Sequence, residues 1–321
     1  MLLTCYGNVP PERAAQVIGM LLGVEVSAGW VDKAAARVNA QLGRAGFDEA
    51  MTAALAAESV LAADETPVNV LDKAAPAPAG EEKDEADPEE KDGKAAAGSP
   101  HVLITRTPDG RLTFLQAAGS RRKGSVAAAV PVGFTGYLIV DGYTGYQHLL
   151  SRLAGIGQCA QHVIRRARQV MKLGPGRVQE WAADIIKVPG DAWRAVEGAR
   201  ARGSTGLDPQ VLGDLRERYD TAVSFGIIHN RLRDWDGGGN HPGYALATWL
   251  RDCKEQVFLF TRHFGVSWTN DLASHCTSWV RSAVSGFSRW SGGAAGVVFS
   301  MGCGTDISRQ RAAEAGVVAA S

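Results

Sequence analysis

Near residue 59 the apolar pattern of this chain changes period, and a chain that does this must pack strands against helices. Residues 59–71, SVLAADETPVNVL, and 101–120, HVLITRTPDGRLTFLQAAGS, read as three strands, rich in aliphatic and β-branched residues between turn signals. The polar pair Asp64-Glu65 is expected to break the first of them, and Pro108-Asp109-Gly110 supplies the turn between the second and third. A short helix over 124–130 leads into GYLIVDGYTGY, where residues 137–140 form a strand of the buried type that ends at Asp141.

Helical periods lie on both sides of these strands. Pro10-Pro11-Glu12 starts a first helix with Ala15, Ile18 and Leu22 on one face, and Gly23 suits its stop. Ser27 then caps a second helix carrying Trp30, Val31, Ala34 and Val38. The pair reads first as a plain helical hairpin, a form common in any fold, and second as a helix-turn-helix with Lys33 and Arg37 turned to phosphate. After Gly157 the pattern is mostly helical, over 159–172, 177–201, 208–224 and one long helix from His241. The expected fold is α/β, an RNase H-like mixed sheet flanked by helices. A mostly helical amino-terminal segment (1–60) precedes the domain (61–300), which carries a helical insertion (173–240) after the second aspartate, and 301–321 stay unassigned.

Between the first and second strands lies DKAAPAPAGEEKDEADPEEKDGKAAAGSP, residues 72–100, with nine acidic and four basic residues and almost no large apolar side chain. Such a stretch buries too little surface to offset its ordering entropy, so it is expected to be a disordered insert at a hairpin tip. The chain's formal charge of zero therefore hides a body of about plus five. Its basic residues cluster at Arg121, Arg122 and Lys123, and again at Arg165, Arg166, Arg168 and Lys172. Such clusters are commonly solvated faces and can also be nucleic-acid contacts. No apolar run approaches the roughly 18 residues of a membrane span, and the start lacks a basic leader, so a cytosolic protein away from membranes is expected. The five scattered cysteines include no CxxC pair, which argues against a disulfide framework or a closed zinc site.

Asp64 and Asp141 are the sharpest candidates for chemistry. Each lies at the polar end of an otherwise apolar strand, and two carboxylates on neighbouring strands offer the hard oxygen ligands that magnesium takes. Magnesium so held can activate water or a 3′-hydroxyl in phosphodiester chemistry. A strand-end aspartate is more commonly a turn cap, and residue spacing leaves that reading open. Cys159 and His162 form a C-x-x-H step that opens a helix, with no second pair at zinc-finger spacing, so packing against the sheet is the simpler role.

Taken together, ADETPVNV around Asp64, GYLIVDGYTGY around Asp141, CAQHVIRRA, HPGYALATWLRD and VSWTNDLAS resemble the central part of transposases of the insertion sequence 66 family, in the family's order, from about Val9 to about Phe299. The resemblance implies an RNase H-like fold with a triad of two aspartates and a glutamate that binds Mg2+ (or Mn2+) and acts on transposon-end DNA. By matching motifs, the two aspartates are Asp64 and Asp141, and Cys159 and His162 match the family's C-x-x-H step. The glutamate normally follows a paired asparagine, as in T-N-N-x-x-E. Here Thr269 and Asn270 are followed by Asp271, and Ser274 stands where the glutamate belongs.

Between Glu255 and Glu314 the only carboxylates are Asp271 and Asp306. A serine hydroxyl is a poor magnesium ligand beside a carboxylate. Asp271 shares a helix face with Ser274 but would sit about 4.5 Å away along the axis, on a side chain one methylene shorter. The basic residues and the arginine- and tyrosine-bearing segment expected farther on are also largely replaced, and the family's cysteine-rich amino-terminal region does not occur, so the resemblance is to a shortened and eroded member. The expected function is a transposase impaired in magnesium-dependent cleavage and strand transfer. The alternative is an inactive remnant that binds DNA or pairs with a second copy of the chain. A metal-free α/β protein with both aspartates as turn caps is the remaining reading.

Overall fold

The computed structural model describes residues 9–67, 101–118, 123–174, 176–236 and 238–270, together with Leu3. Helix α1 (Pro11–Leu22) begins on a proline and ends at Gly23, whose φ of 65° turns its N–H back to the Gly19 carbonyl. Ser27 Oγ accepts from Trp30 N–H at 3.1 Å and caps α2 (Ala28–Arg44). The two helices pack through Ala14, Ala15 and Val31 as a small hairpin, followed by α3 (Phe47–Ala56).

A five-stranded mixed sheet follows: β1 (Val60–Pro67), β2 (His101–Arg106), β3 (Thr113–Ala118), β4 (Tyr137–Val140) and β5 (Gly155–Gln158), in the order β3-β2-β1-β4-β5. The pairs β1–β2 and β2–β3 are antiparallel, while β1–β4 and β4–β5 are parallel, an RNase H-like arrangement. Asp64 and Glu65 do not break β1, contrary to the expectation from their polarity. They pair with Ile104 and Leu103, and the ladder continues to Pro67 opposite His101. The antiparallel ladder with β2 runs past both residues and holds their backbone extended, so the strand tolerates polar side chains near its end. β5 has no counterpart among the expected strands, because Gly155-Ile156-Gly157-Gln158 is too short and glycine-rich to show a period.

Alternation along the strands builds one core on each face of the sheet. Val60, Ala62 and Ile139 face α5 (Ala160–Met171), α6 (Glu180–Ala201), α7 (Pro209–Asn230) and α8 (Pro242–Asp252). Leu61, Ala63, Leu138, Val140 and Ile156 face Leu55 of α3, Val126 of α4 (Lys123–Ala129), and Tyr146 and Leu149 of a 3-10 helix over Thr144–Ser151.

The long helix expected from His241 is in fact three pieces: α8, α9 (Lys254–Val257) and α10 (Leu259–Arg262), with breaks at Cys253 and Phe258. Val257, Phe258, Leu259 and Phe260 are all buried, so this stretch is apolar all round and no straight amphipathic helix could place it. The breaks let it run beneath β5, where glycines at 155 and 157 bring Leu259 within 3.6 Å and 3.4 Å of where their Cβ atoms would lie.

His241 caps α8: its Nδ1 accepts from Gly243 N–H at 3.0 Å, which requires the neutral ring. Burial and then the charge of Arg233 hold its pKa below the usual 6.5, against a weaker opposing effect of the Leu173 carbonyl. The unfolded chain therefore binds a proton before the folded one does, and stability is lost as pH falls below about 6.5. Thermal melts from pH 5 to 8 should show this decline, and His241→Asn, which keeps a capping acceptor but does not titrate, should flatten that part of the profile. Identical profiles for parent and variant would remove His241 as its source.

Candidate active site

The register of the parallel pair decides how the two aspartates meet. Val60, Leu61 and Ala62 lie opposite Tyr137, Leu138 and Ile139, and continuing that register by two residues sets Asp64 level with Asp141. By alternation both belong to the face of Ala62 and Ile139, just past the carboxyl end of the stretch over which β1 and β4 pair in parallel, the end at which open α/β sheets place their ligands. Asp64 is buried at 6% exposure, and Asp141 is half-buried. One Asp141 oxygen accepts from Tyr143 N–H at 2.9 Å, so the residue also forms the turn cap that spacing had left open.

Glu65, one residue on, belongs to the opposite face and accepts from the Tyr146 hydroxyl at 2.9 Å. Burial, then the charges of Glu65, Asp141 and Asp64, push the Tyr146 phenol well above its ordinary pKa of 10, so it stays a donor. Sequence reasoning missed this pair. Its only signal was that the two motifs DET and DGYTGY each carry a second polar residue.

Arg166 and Trp249 were also missed as a unit. The Arg166 guanidinium lies over the Trp249 ring, 4.8 Å from its centroid. A Cβ at Gly142, the residue after Asp141, would meet Trp249 at 3.0 Å, the Gln158 side-chain oxygen at 3.3 Å and Arg166 Nη1 at 3.4 Å. With φ at 98°, Gly142 is a position for glycine on both conformation and space. Gln158 donates to Gln256 at 2.6 Å, and Gln256 donates to Gln147 at 3.0 Å, which ties β5 to α9 and to the 3-10 helix after Asp141.

The segment that leads toward the expected third acid is anchored on this site. Trp268 stacks on Trp193 of α6 with centroids 5.2 Å apart, and its carbonyl accepts from Ala160 N–H at 2.9 Å. Asn270, buried at 2% exposure, donates its N–H to Cys159 Sγ at 3.1 Å and its side-chain amide to the Ala63 carbonyl at 2.8 Å. Cys159 N–H in turn donates to the Val140 carbonyl at 2.8 Å. Asn270 is thus clamped between the residue preceding Asp64 and the start of α5. Cys159 acts through packing and this hydrogen bond, and His162 is half-buried one turn on.

Asp271 and Ser274 lie outside the described residues, as do Arg121 and Arg122; Lys123 opens α4. The other basic cluster does not form one face: Arg165, Arg168 and Lys172 are exposed, whereas Arg166 turns inward to Trp249.

Two level carboxylates suit one magnesium ion, which commonly takes only one or two protein carboxylates and completes its shell with phosphate and water. Among the described residues no three His, Cys, Asp or Glu side chains converge on a common point.

A family model described as Transposase IS66 family matches residues 1–270. The chain belongs to the IS66 transposase family. No curated protein and no solved structure matches this transposase. Among its described residues no helix is long and apolar enough to cross a membrane.

Proposed function

We propose that this IS66-family transposase acts on transposon-end DNA with its phosphodiester chemistry impaired by the loss of one acid. The observation that carries the reading is the level pair Asp64 and Asp141, set beside a motif that runs Thr269, Asn270, Asp271 and then Ser274. Asp64 and Asp141 would hold one Mg2+ or Mn2+, which when bound supplies a Lewis acid that activates water or a 3′-hydroxyl and offsets charge on the leaving oxygen. The Tyr146–Glu65 contact fixes the turn after Asp141 against β1, and the Asn270 clamp anchors the motif's start beside the residue that precedes Asp64. A serine in place of the glutamate leaves the site with two carboxylates instead of three.

The test is nicking of supercoiled DNA carrying the element's own termini by the full chain with magnesium. Cleavage close to background is expected, with little further loss in Asp64→Asn or Asp141→Asn. Robust cleavage by the unaltered chain, abolished by Asp64→Asn, would overturn the impairment. The second reading, a remnant that binds DNA without cutting it, draws on Arg166 beside Asp141 and predicts gel shifts that weaken steeply with salt.

A further inference from the structure

Helix α5 leaves the sheet at the same end as the two aspartates, since Cys159 just before it is bonded to Val140 just before Asp141. Its side chains tilt back toward its amino terminus, and this brings Arg166 from the second turn to the backbone of Gly142. Trp249 lies under the guanidinium and restrains it, so less ordering entropy is lost when it meets a ligand. Arg165, Arg168 and Lys172, at spacings of three and four, share an exposed face of the same helix and its end.

The charge pattern of this face is one-sided. Elsewhere in the helical layer many cations find carboxylates, Arg194 and Arg218 with Asp191, Arg200 with Glu197, Arg216 and Arg262 with Glu255, and Lys254 with Asp220, while Lys187, Arg202 and Arg231 are exposed single cations without an ion pair among the described residues. No acidic residue occurs between Cys159 and Arg177, and Arg165, Arg168 and Lys172 make no ion pair among the described residues. An ordinary solvated face mixes the two signs. This one is left cationic for about 10 Å of helix axis, on the helix whose Arg166 reaches Gly142, a length that spans two or three phosphates of a strand spaced about 3.4 Å along a duplex.

We infer that α5 is the helix that grips the DNA backbone, with Arg166 on the phosphate nearest Asp64 and Asp141 and with Arg165, Arg168 and Lys172 on the phosphates leading away. The inference rests on the transposase reading above and adds the surface by which DNA reaches the aspartates. Trp249 is the positioning residue of this surface, since the Arg166 guanidinium rests over its ring.

The experiment is binding of a fluorescein-labelled DNA duplex to the full chain by anisotropy over a series of salt concentrations. Removing one cation that neutralises a phosphate should make the slope of log affinity against log salt shallower by about 0.9. The triple change Arg165→Gln, Arg168→Gln, Lys172→Gln should remove about three such steps. Arg166→Gln should remove one and weaken low-salt binding roughly tenfold. Arg166→Lys should keep the slope while losing affinity, and Trp249→Leu should do the same. Lys187→Gln on α6 is the comparison and should leave the slope unchanged.

A triple variant with the parent's slope overturns the inference and leaves the transposase reading standing. No binding by the parent at low salt overturns both. Should the Arg166 variants or the triple fail to fold, Lys172→Gln decides, because an exposed helix-end lysine does not affect folding. A slope shallower by about 0.9 supports the inference, and the parent's slope overturns it.

Discussion

Replacing Ser274 with glutamate is expected to raise magnesium-dependent nicking of the element's terminal DNA by about a hundredfold or more. The expectation follows from what is already in place around that position. The register of β1 and β4, continued two residues, sets Asp64 level with Asp141 just past β4, and Asn270, four residues before Ser274, is tied to the Ala63 carbonyl and to Cys159 Sγ. The chain therefore enters the motif from a defined point, and a carboxylate at 274 restores the ligand type that magnesium prefers. The gain should vanish when Asp64→Asn is added, since the new acid works only with the other two. Asp271→Asn in the same background should leave the gain intact, because Asp271 is three residues from the required position, about 4.5 Å along a helix axis. Nicking by Ser274→Glu that stays at the parent's level, with DNA binding retained, would show that the loss of activity lies elsewhere in the chain.

The largest effect on stability is expected at Trp181. It is buried at 4% exposure where α6, α7 and α8 meet, and a Cβ on Gly226 would lie 2.7 Å from its ring and 2.9 Å from Ala247. Its Nε1 donates to Gln179 at 2.9 Å, Gln179 donates to Asn230 at 3.0 Å, and Asn230 returns to the Gly226 carbonyl at 2.8 Å. Trp181→Ala opens a cavity and leaves a buried amide oxygen unpaired, a combination that costs about 3–5 kcal/mol. Urea unfolding should show the midpoint falling by about 1 M or more. Trp181→Phe should fall less, as it keeps most of the ring but loses the hydrogen bond. A midpoint shared by Trp181→Ala and the parent would sink this account of the insertion's packing. The loss should extend to DNA binding, because α6 and α8 support α5 and Trp249.

Much of the fold was legible because each early element carries its own local signal. Ser27 before an amphipathic run and Pro11 at a helix start act within a few residues, so their elements emerge where the sequence puts them. The misreadings share one cause. Asp64 and Glu65 look like a strand break, yet they are held in extended backbone by their ladder with β2. Gly155–Gln158 has no pattern of its own and becomes a strand by lying against β4. The run from His241 has helical propensity throughout but lies under β5 with buried residues all round, which forces its two breaks.

The same division holds at the site. The sequence by itself determined which groups are available: Asp64 and Asp141 at strand ends, Asn270 and Asp271 in a motif that reaches serine instead of glutamate, and a run of basic side chains after Cys159. That much depends on residue identity and short spacing alone. Only the tertiary structure decided which of these groups meet. The parallel register set the two aspartates level, the clamp on Ala63 and Cys159 anchored Asn270, and Trp249, 83 positions from Arg166, turned that arginine away from its neighbours and toward Asp141. Such contacts join residues far apart in the chain, and their energy comes from burial and pairing that exist only once the sheet and its helices have closed on one another.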